Sequence, residues 1–181
     1  MKFLETENLL LEEVSSEDIH FIHALNSLPE VDEYNTLGIP STIEVTEKFA
    51  SEIILAQTGE PPVRYVFVIK NKSTLNSIGL CGLIMGKPNY RNAEIWYKLH
   101  PQFWNKGFAT VAVKALLHFG FNSLHLHRIE AGCATENIAS IKVLEKTGFI
   151  REAHTRKLLP IRGKWVDNYG YAILEEDFIK P

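Results

Sequence analysis

The sequence predicts one domain, residues 1–181, of α/β (α+β-like) class, with a mixed, mostly antiparallel sheet and helices on both faces. Three strand-like segments follow one another without an intervening helix, at 64–70, 77–85 and 92–99, which is typical of an antiparallel meander. A helix-length segment then separates the third strand from a fourth at 128–135, and such a crossover is typical of a parallel pair. The chain of 181 residues, 45% of them hydrophobic, is long enough to bury a core.

Capping and turn residues predict the other elements. A first strand at 8–13 is followed by a capping box at Ser15–Asp18, a helix that runs through Leu25, and a loop at 30–40. A second capping box at 41–44 begins a helix that ends near Gly59. Later in the chain come a helix at 137–147 and a closing strand pair at 150–158 and 164–174, joined around Arg162 and Gly163.

Composition excludes several classes of partner. A net charge of −3 and a pI near 6.2 give no basic footprint for nucleic acid. The N-terminus is acidic where a signal peptide needs an apolar run, and no segment approaches the ~18 apolar residues of a membrane helix. We therefore expect a cytoplasmic protein without a membrane partner. Cys81 and Cys133 lie in apolar strands without metal-ligand spacing, which predicts buried, reduced thiols.

Residues 104–121 form a polar turn that leads directly into an apolar, Ala-rich helix. The first amides of a helix are free, and the positive end of its dipole favours a phosphate there. Gly107 allows close approach of a ligand, Asn105 readily takes positive φ, and Lys106 adds a charge. An ordinary turn capping a core helix explains these three residues equally well.

The turn also resembles a family signature. Trp104 to Ala109 is similar to the acyl-CoA pyrophosphate loop of the GNAT N-acetyltransferases, with Gly107 and Ala109 at matching positions. The Trp at the first position is typical of the RimJ/RimL-type ribosomal-protein N-terminal acetyltransferases. That branch has a second signature about 30 residues further on, which this chain matches at Asn137, Ser140, Glu145, Lys146, Gly148 and Phe149.

The resemblance implies acetyl-CoA as co-substrate and two central parallel strands that splay apart to hold its pantetheine arm. The gap is expected between residues 94–99 and 128–135. The resemblance also implies that backbone amides near Tyr97 and Leu99 stabilise the reacting oxyanion. The implied cofactor-binding residues are Tyr97, Leu99, Trp104, Asn105, Lys106, Gly107, Phe108, Ala109 and Asn137.

Glu94 is the candidate general base, because acetyl transfer requires a neutral amine and a protein α-amine of pKa about 8 is mostly charged at pH 7. Its partly apolar strand predicts a raised pKa. A surface glutamate paired with a lysine is the alternative. The resemblance assigns protonation of the leaving thiolate to Ser140 and binding of the pantetheine amides to Asn137. From the residues alone, Asn137 is an N-cap and Ser140 an ordinary helix residue.

The sequence therefore predicts an N-acetyltransferase that moves an acetyl group from acetyl-CoA to a primary amine, such as a protein N-terminus, by direct transfer. A CoA-binding sensor without turnover is the alternative from another class, and polyamines, aminoglycosides or amino acids are alternative acceptors. His125 and His127, like His20 and His23, lack a third ligand at a recognisable spacing, so no metal is expected. The oligomeric state is left as monomer or homodimer.

Overall fold

The computed structural model describes residues 3–178. Its strands are β1 (Phe3–Glu5), β2 (Leu9–Glu13), β3 (Arg64–Asn71), β4 (Ser77–Met85), β5 (Asn92–Leu99), β6 (Arg128–Ala134), β7 (Ile150–Ile161) and β8 (Lys164–Leu174). Its α-helices are α1 (Ile19–Asn26), α2 (Pro29–Asp32), α3 (Ile43–Thr58), α4 (Phe108–His118) and α5 (Ile138–Lys146).

The eight strands form one sheet in the order β1-β2-β3-β4-β5-β6-β8-β7, which confirms the predicted mixed architecture. Among these strands, β5 and β6 are the one parallel pair, and every other neighbouring pair is antiparallel. Their pairing covers three positions only, ending at Glu94 and Glu130. Beyond that point the two strands separate, so the expected gap lies where the sequence places it.

Two apolar clusters cover the two faces of the sheet. The larger cluster packs α4 against the sheet and includes Val113, Leu116 and Ile129. The smaller one packs α1 and α3 against the opposite face through Ile22, Ile53 and neighbouring residues. Strand residues therefore alternate between an α4 face and an α3 face, and this alternation decides which side chains reach which side of the gap.

Several local predictions need correction. The loop predicted at 30–40 begins as the short helix α2, and β1 precedes the predicted first strand. The first capping box is present, since Ser15 N donates to Asp18 Oδ2 at 2.9 Å. The second is wrong: α3 starts one residue later than a Ser41 cap requires, with Thr42 in extended conformation as N-cap and no side-chain capping hydrogen bond. Glu44 instead hydrogen-bonds the Thr42 side chain, which lowers the pKa of this carboxyl.

The closing hairpin is longer than predicted, because β7 continues to Ile161. Arg162 and Gly163 both have positive φ, 49° and 73°, which is the geometry of a tight two-residue hairpin turn. At the other connection, Gly148 follows α5 with φ of 92°, as expected for a residue that ends a helix. No helix within residues 3–178 is both long and apolar enough to cross a membrane.

Candidate active site

A cleft of about 1160 Å³ opens where β5 and β6 separate. It is lined by the end of β5, the turn before α4, the start of α5, the segment after α2, and two leucines of β7. The predicted site residues that line it are Glu94, Tyr97, Leu99, Trp104, Asn105, Gly107, Phe108, Ala109, Asn137 and Ser140. One cleft therefore brings together ten of the eleven residues selected from the sequence. Lys106, the eleventh, places its Nζ over the Phe103 ring, 5.6 Å from the centroid.

Backbone amides of β5 face this gap. His100 N, just beyond the strand, donates to Ile78 O at 2.8 Å, so even-numbered backbone groups of this segment point toward β4. The register between β4 and β5 runs without a break, so the alternation holds along the strand. The odd-numbered amides of Tyr97 and Leu99 consequently point the other way, into the space from which β6 has withdrawn. Two donors thus converge on the gap, as an oxyanion site requires.

Glu94 lies at the mouth of the gap with its side chain on the α3 face. Partial burial, with a further contribution from the charge of Glu130, raises the pKa of its carboxyl above the ordinary value. The raised pKa was predicted, and it makes the carboxylate a better proton acceptor. None of the ion pairs within the described residues includes Glu94, so the alternative of a lysine-paired surface glutamate finds no support.

Tyr97 and Ser140 meet on the other face, across the gap. Their hydroxyl oxygens are 2.8 Å apart, and Tyr97 Oη also lies 3.3 Å from Ser140 O. Burial raises the pKa of Tyr97, so the phenol remains a proton donor. Asn137 caps α5 by accepting from Ser140 N at 3.0 Å, which fixes the serine at the edge of the gap. Ser140 is therefore a bonded cleft residue rather than an ordinary exposed one.

The turn before α4 presents open amides to solvent. Trp104 Nε1 donates to Leu99 O at 2.7 Å and so joins this turn to the end of β5. Asn105 has φ of 58°, the positive value predicted for it, and Gly107 has φ of 82° at the N-cap. No side chain caps α4, and a Cβ on Gly107 would meet nothing within 4 Å. These amides, with the helix dipole behind them, form a site suited to a pyrophosphate.

Both cysteines are buried free thiols, as predicted. Cys133 lies beside Ser140 in the cleft, and burial raises its pKa to about 11. Burial also raises the pKa of Cys81. A raised pKa favours the protonated thiol, which is a weaker nucleophile than the thiolate.

Sequence reasoning missed the long-range contacts that shape the α3 side of the cleft. Lys98 Nζ donates to Asn26 Oδ1 at 3.0 Å, and burial lowers the pKa of this lysine to about 8. Buried Asp32 pairs with Arg162 at the hairpin tip, at 3.1 Å, although the two are 130 residues apart. In sequence, Lys98 gave one signal: like Glu94, it is an even-numbered residue of β5 and so lies on the same face.

Two further groups of polar residues differ in their position relative to the cleft. His154 and Tyr169 lie outside it, in a shallow hollow between β7 and β8, where His154 pairs with Asp167 at 2.8 Å. The acidic segment at residues 30–33 borders the cleft through Glu30 and Glu33. Within residues 3–178, no cluster of three or more His, Cys, Asp or Glu side chains is arranged to hold a metal ion.

Comparison with known proteins decides the family, because the acetyltransferase (GNAT) domain matches residues 8–150. The chain belongs to the GNAT acetyltransferase family. The uncharacterized N-acetyltransferase YnaD of Bacillus subtilis is 31% identical to it over 175 residues, 97% of this chain and 98% of that protein. A GNAT-family acetyltransferase structure from Bacillus anthracis has a TM-score of 0.83 at 31% identity, covering 97% of this chain and 99% of that one.

Two further structures carry names that differ in acceptor. Spermidine N-acetyltransferase from Vibrio cholerae, solved with CoA and spermine, has a TM-score of 0.85 at 26% identity and covers 97% of this acetyltransferase and 100% of its own chain. Ribosomal-protein-S5-alanine acetyltransferase from Vibrio fischeri, at 22% identity, shares the fold with a TM-score of 0.86 over the full length of both chains. This GNAT protein is thus an acetyl-CoA-dependent N-acetyltransferase, and its open amides fit that co-substrate.

Proposed function

We propose that this acetyltransferase, as a member of the RimJ/RimL-type branch, acetylates the α-amine of a protein or peptide by direct transfer in a ternary complex. One observation carries the proposal: the amides of Tyr97 and Leu99 point into a gap with a proton acceptor, Glu94, on one face and a hydroxyl pair, Tyr97 and Ser140, on the other. The acceptor amine and the thioester of acetyl-CoA can therefore reach the gap from opposite faces of the sheet.

Each group then has one task. Bound acetyl-CoA supplies the acetyl group, whose C–S bond breaks as the C–N bond to the amine forms. Glu94 takes the proton that the ammonium must lose, directly or through a water molecule. The amides of Tyr97 and Leu99 stabilise the negative charge that develops on the acetyl oxygen. Ser140 donates a proton to the departing sulfur and regains one through its hydrogen bond with Tyr97, and the second proton that the nitrogen loses as the amide forms restores Tyr97, whose raised pKa favours the protonated phenol.

Cofactor binding is assigned to the end of the gap formed by the turn before α4, away from Glu94. The residues that would hold the pyrophosphate are the amides from Gly107 to Ala109, with Trp104, Asn105 and Lys106 shaping the turn. Asn137 lies beside the gap, and we assign it to the pantetheine arm; its Oδ1 serves the α5 cap, so its amide nitrogen is the group available for that contact.

The charges on the α3 face favour an acceptor with a single ammonium group. Lys98 lies among the cleft residues with a pKa of about 8 and so is mostly cationic at neutral pH. Asp32, at the centre of the acidic segment, is paired with Arg162. Besides Glu94, the carboxylates that line the cleft are Glu30, Glu33 and Glu136. The positive charge of Lys98 disfavours a polycation that reaches past Glu94.

A polyamine is the second candidate acceptor, and one observation favours it. The spermidine N-acetyltransferase of Vibrio cholerae, solved with spermine, has nearly the same fold over the whole chain. The carboxylates of Glu30 and Glu33 at the rim are suited to a cation that does not enter fully. The two acceptors differ in the number of charges, which gives a direct means of separating them.

Release of CoA thiol from acetyl-CoA, measured against a panel of N-terminal peptides, spermidine, spermine, aminoglycosides and amino acids, tests the proposal. We expect turnover with peptides that carry a free α-amine and none with the same peptides blocked at that amine. Turnover with spermidine alone would show that the acceptor is a polyamine and not a protein or peptide α-amine. In the absence of any acceptor, labelled acetyl-CoA should leave no acetyl group on the protein, since the reaction has no acyl-enzyme.

The hydroxyl pair makes a separate prediction. Ser140→Ala should lower kcat by about 10²-fold, the usual contribution of a general acid, and Tyr97→Phe by less. Because the two residues act as one relay, the double variant should be no slower than Ser140→Ala. Ser51→Ala, which removes an exposed helical serine hydroxyl on α3, is the matched control and should be silent. Losses that multiply in the double variant would show independent roles.

A further inference from the structure

A second carboxylate stands beside Glu94. Glu130 of β6 is its register partner, in the last pair before β5 and β6 separate. Partners in parallel strands lie on the same face of the sheet at neighbouring positions, so both carboxylates project to the α3 face. Two glutamates thus stand side by side at the point where the amine must lose its proton.

Glu130 is anchored by side-chain hydrogen bonds, whereas none of those found within residues 3–178 includes Glu94. Its Oε1 accepts from Arg128 Nε at 2.9 Å, and its Oε2 accepts from Asn92 Nδ2 at 3.3 Å. Arg128 is itself held by Glu152, with Nη1 and Oε1 3.1 Å apart. These two donors, one of them a guanidinium, hold the Glu130 carboxylate in place beside Glu94.

Other charged groups also face this part of the cleft. Arg64 of β3 is the register partner of Ile84, and Ile84 is the register partner of Glu94, so Arg64 lies level with Glu94 across the sheet. Lys98 lies four residues after Glu94 on the same face of β5. Glu33 borders the cleft from the segment after α2. Within the described chain, burial comes first in raising the pKa of Glu94, and the one charge that adds to it is Glu130.

We propose that Glu130 is a positioning residue of the transfer reaction: anchored through both oxygens, it fixes a negative charge beside Glu94 and makes Glu94 the proton acceptor of the pair. This inference rests on the proposed role of Glu94 as base. The two carboxylates are not equivalent, because both oxygens of Glu130 are occupied by hydrogen-bond donors, whereas no side-chain hydrogen bond within residues 3–178 includes Glu94. The ammonium proton is therefore directed to Glu94.

The pH dependence of kcat/KM for Glu130→Gln tests this. Gln keeps the shape and an oxygen for Arg128 but removes the charge, so the acidic limb of the profile should move to lower pH. Glu152→Gln is the matched control, because it removes another carboxylate from the same arginine without changing the charge beside Glu94. Its acidic limb should stay in place. NMR titration of ¹³C-labelled glutamate carboxyls, with Glu94 assigned through Glu94→Gln, provides a readout that does not depend on activity.

The outcomes separate the two levels of inference. If Glu94→Gln retains the acidic limb, Glu94 is not the base and the proposed function loses its proton acceptor. If that limb disappears in Glu94→Gln but does not move in Glu130→Gln, the proposed function stands and the role of Glu130 is overturned. A second variant guards against failure of Glu130→Gln to fold: Glu130→Ala also removes the charge, so its acidic limb should likewise move to lower pH. An unmoved acidic limb in Glu130→Ala would also overturn the inference.

Discussion

Glu94→Gln is expected to lower kcat/KM by about 10²-fold or more near neutral pH, within the range that a positioned general base contributes. The dissociation constant for acetyl-CoA should not change, because Glu94 lies on the α3 face and the cofactor-binding amides belong to the turn before α4. The deficit should shrink as the pH rises above the pKa of the acceptor amine, since an amine that is already neutral needs no base. Initial rates over a pH series, with acetyl-CoA affinity measured separately, provide the check.

Stability supplies an internal control for this variant. The folded-state pKa of Glu94 is raised, so its contribution to stability is present below the unfolded pKa and is lost as the pH rises through the folded value. At neutral pH the ionised carboxylate is therefore unfavourable for folding, and Glu94→Gln should melt no lower than the wild type. Glu52→Gln, on the exposed side of α3, is the matched substitution and should retain full activity. An unchanged kcat/KM in Glu94→Gln would remove this residue as the base.

The parts of this protein that sequence could predict are those set by local patterns. The bounds of β4 and β5 follow from runs of apolar residues ended by turn residues, and they match the structure. Asn137 and Gly148 mark the two ends of α5, because an N-cap and a positive-φ residue are each recognisable within a few positions. The positive φ of Asn105 follows equally from residue type alone.

The contacts that sequence could not predict join segments far apart in the chain. Tyr97 and Ser140 are 43 residues apart and Lys98 and Asn26 are 72 apart, and only the tertiary arrangement of α5 and α1 about β5 brings them together. The second capping box failed for a local reason: Ser41 and Thr42 are adjacent residues of similar capping tendency, and the helix begins after Thr42. Glu130 left a partial signal, since Arg128 and Glu130 alternate and so share one face of a strand.

The divergence of β5 and β6 accounts for most of what the site can do. Where two strands part, backbone amides that a sheet would pair are left open, and the side chains of the last pair stand at the edge of the opening. The amides of Tyr97 and Leu99 are left open in this way, and Glu94 and Glu130 are the side chains of the last pair. Alternation of side chains then places the base on one face and the hydroxyl pair on the other. The same feature of the sheet therefore supplies both the oxyanion donors and the separation of the two reacting partners.

Gly107→Ala should weaken acetyl-CoA binding by at least about tenfold, which corresponds to roughly 1.4 kcal/mol. The substitution has two consequences. A left-handed conformation costs a non-glycine residue about 1–2 kcal/mol, which lowers stability. The added methyl group stands where the pyrophosphate must approach the amides of α4, which lowers affinity. No atom lies within 4 Å of that methyl position, so the fold itself has room for it. Isothermal titration with acetyl-CoA measures the loss.

Gly163→Ala is the control that separates the loss of stability from the loss of affinity. Gly163 has φ of 73° against 82° for Gly107, and a Cβ there also meets nothing within 4 Å, yet it lies in the turn between β7 and β8. Both variants should therefore lose similar thermal stability, a few degrees in Tm, because the backbone strain is the same. Only Gly107→Ala should lose affinity for acetyl-CoA. Equal affinity in the two variants would show that the turn before α4 does not hold the pyrophosphate, and the assignment of residues 104–109 would have to be abandoned.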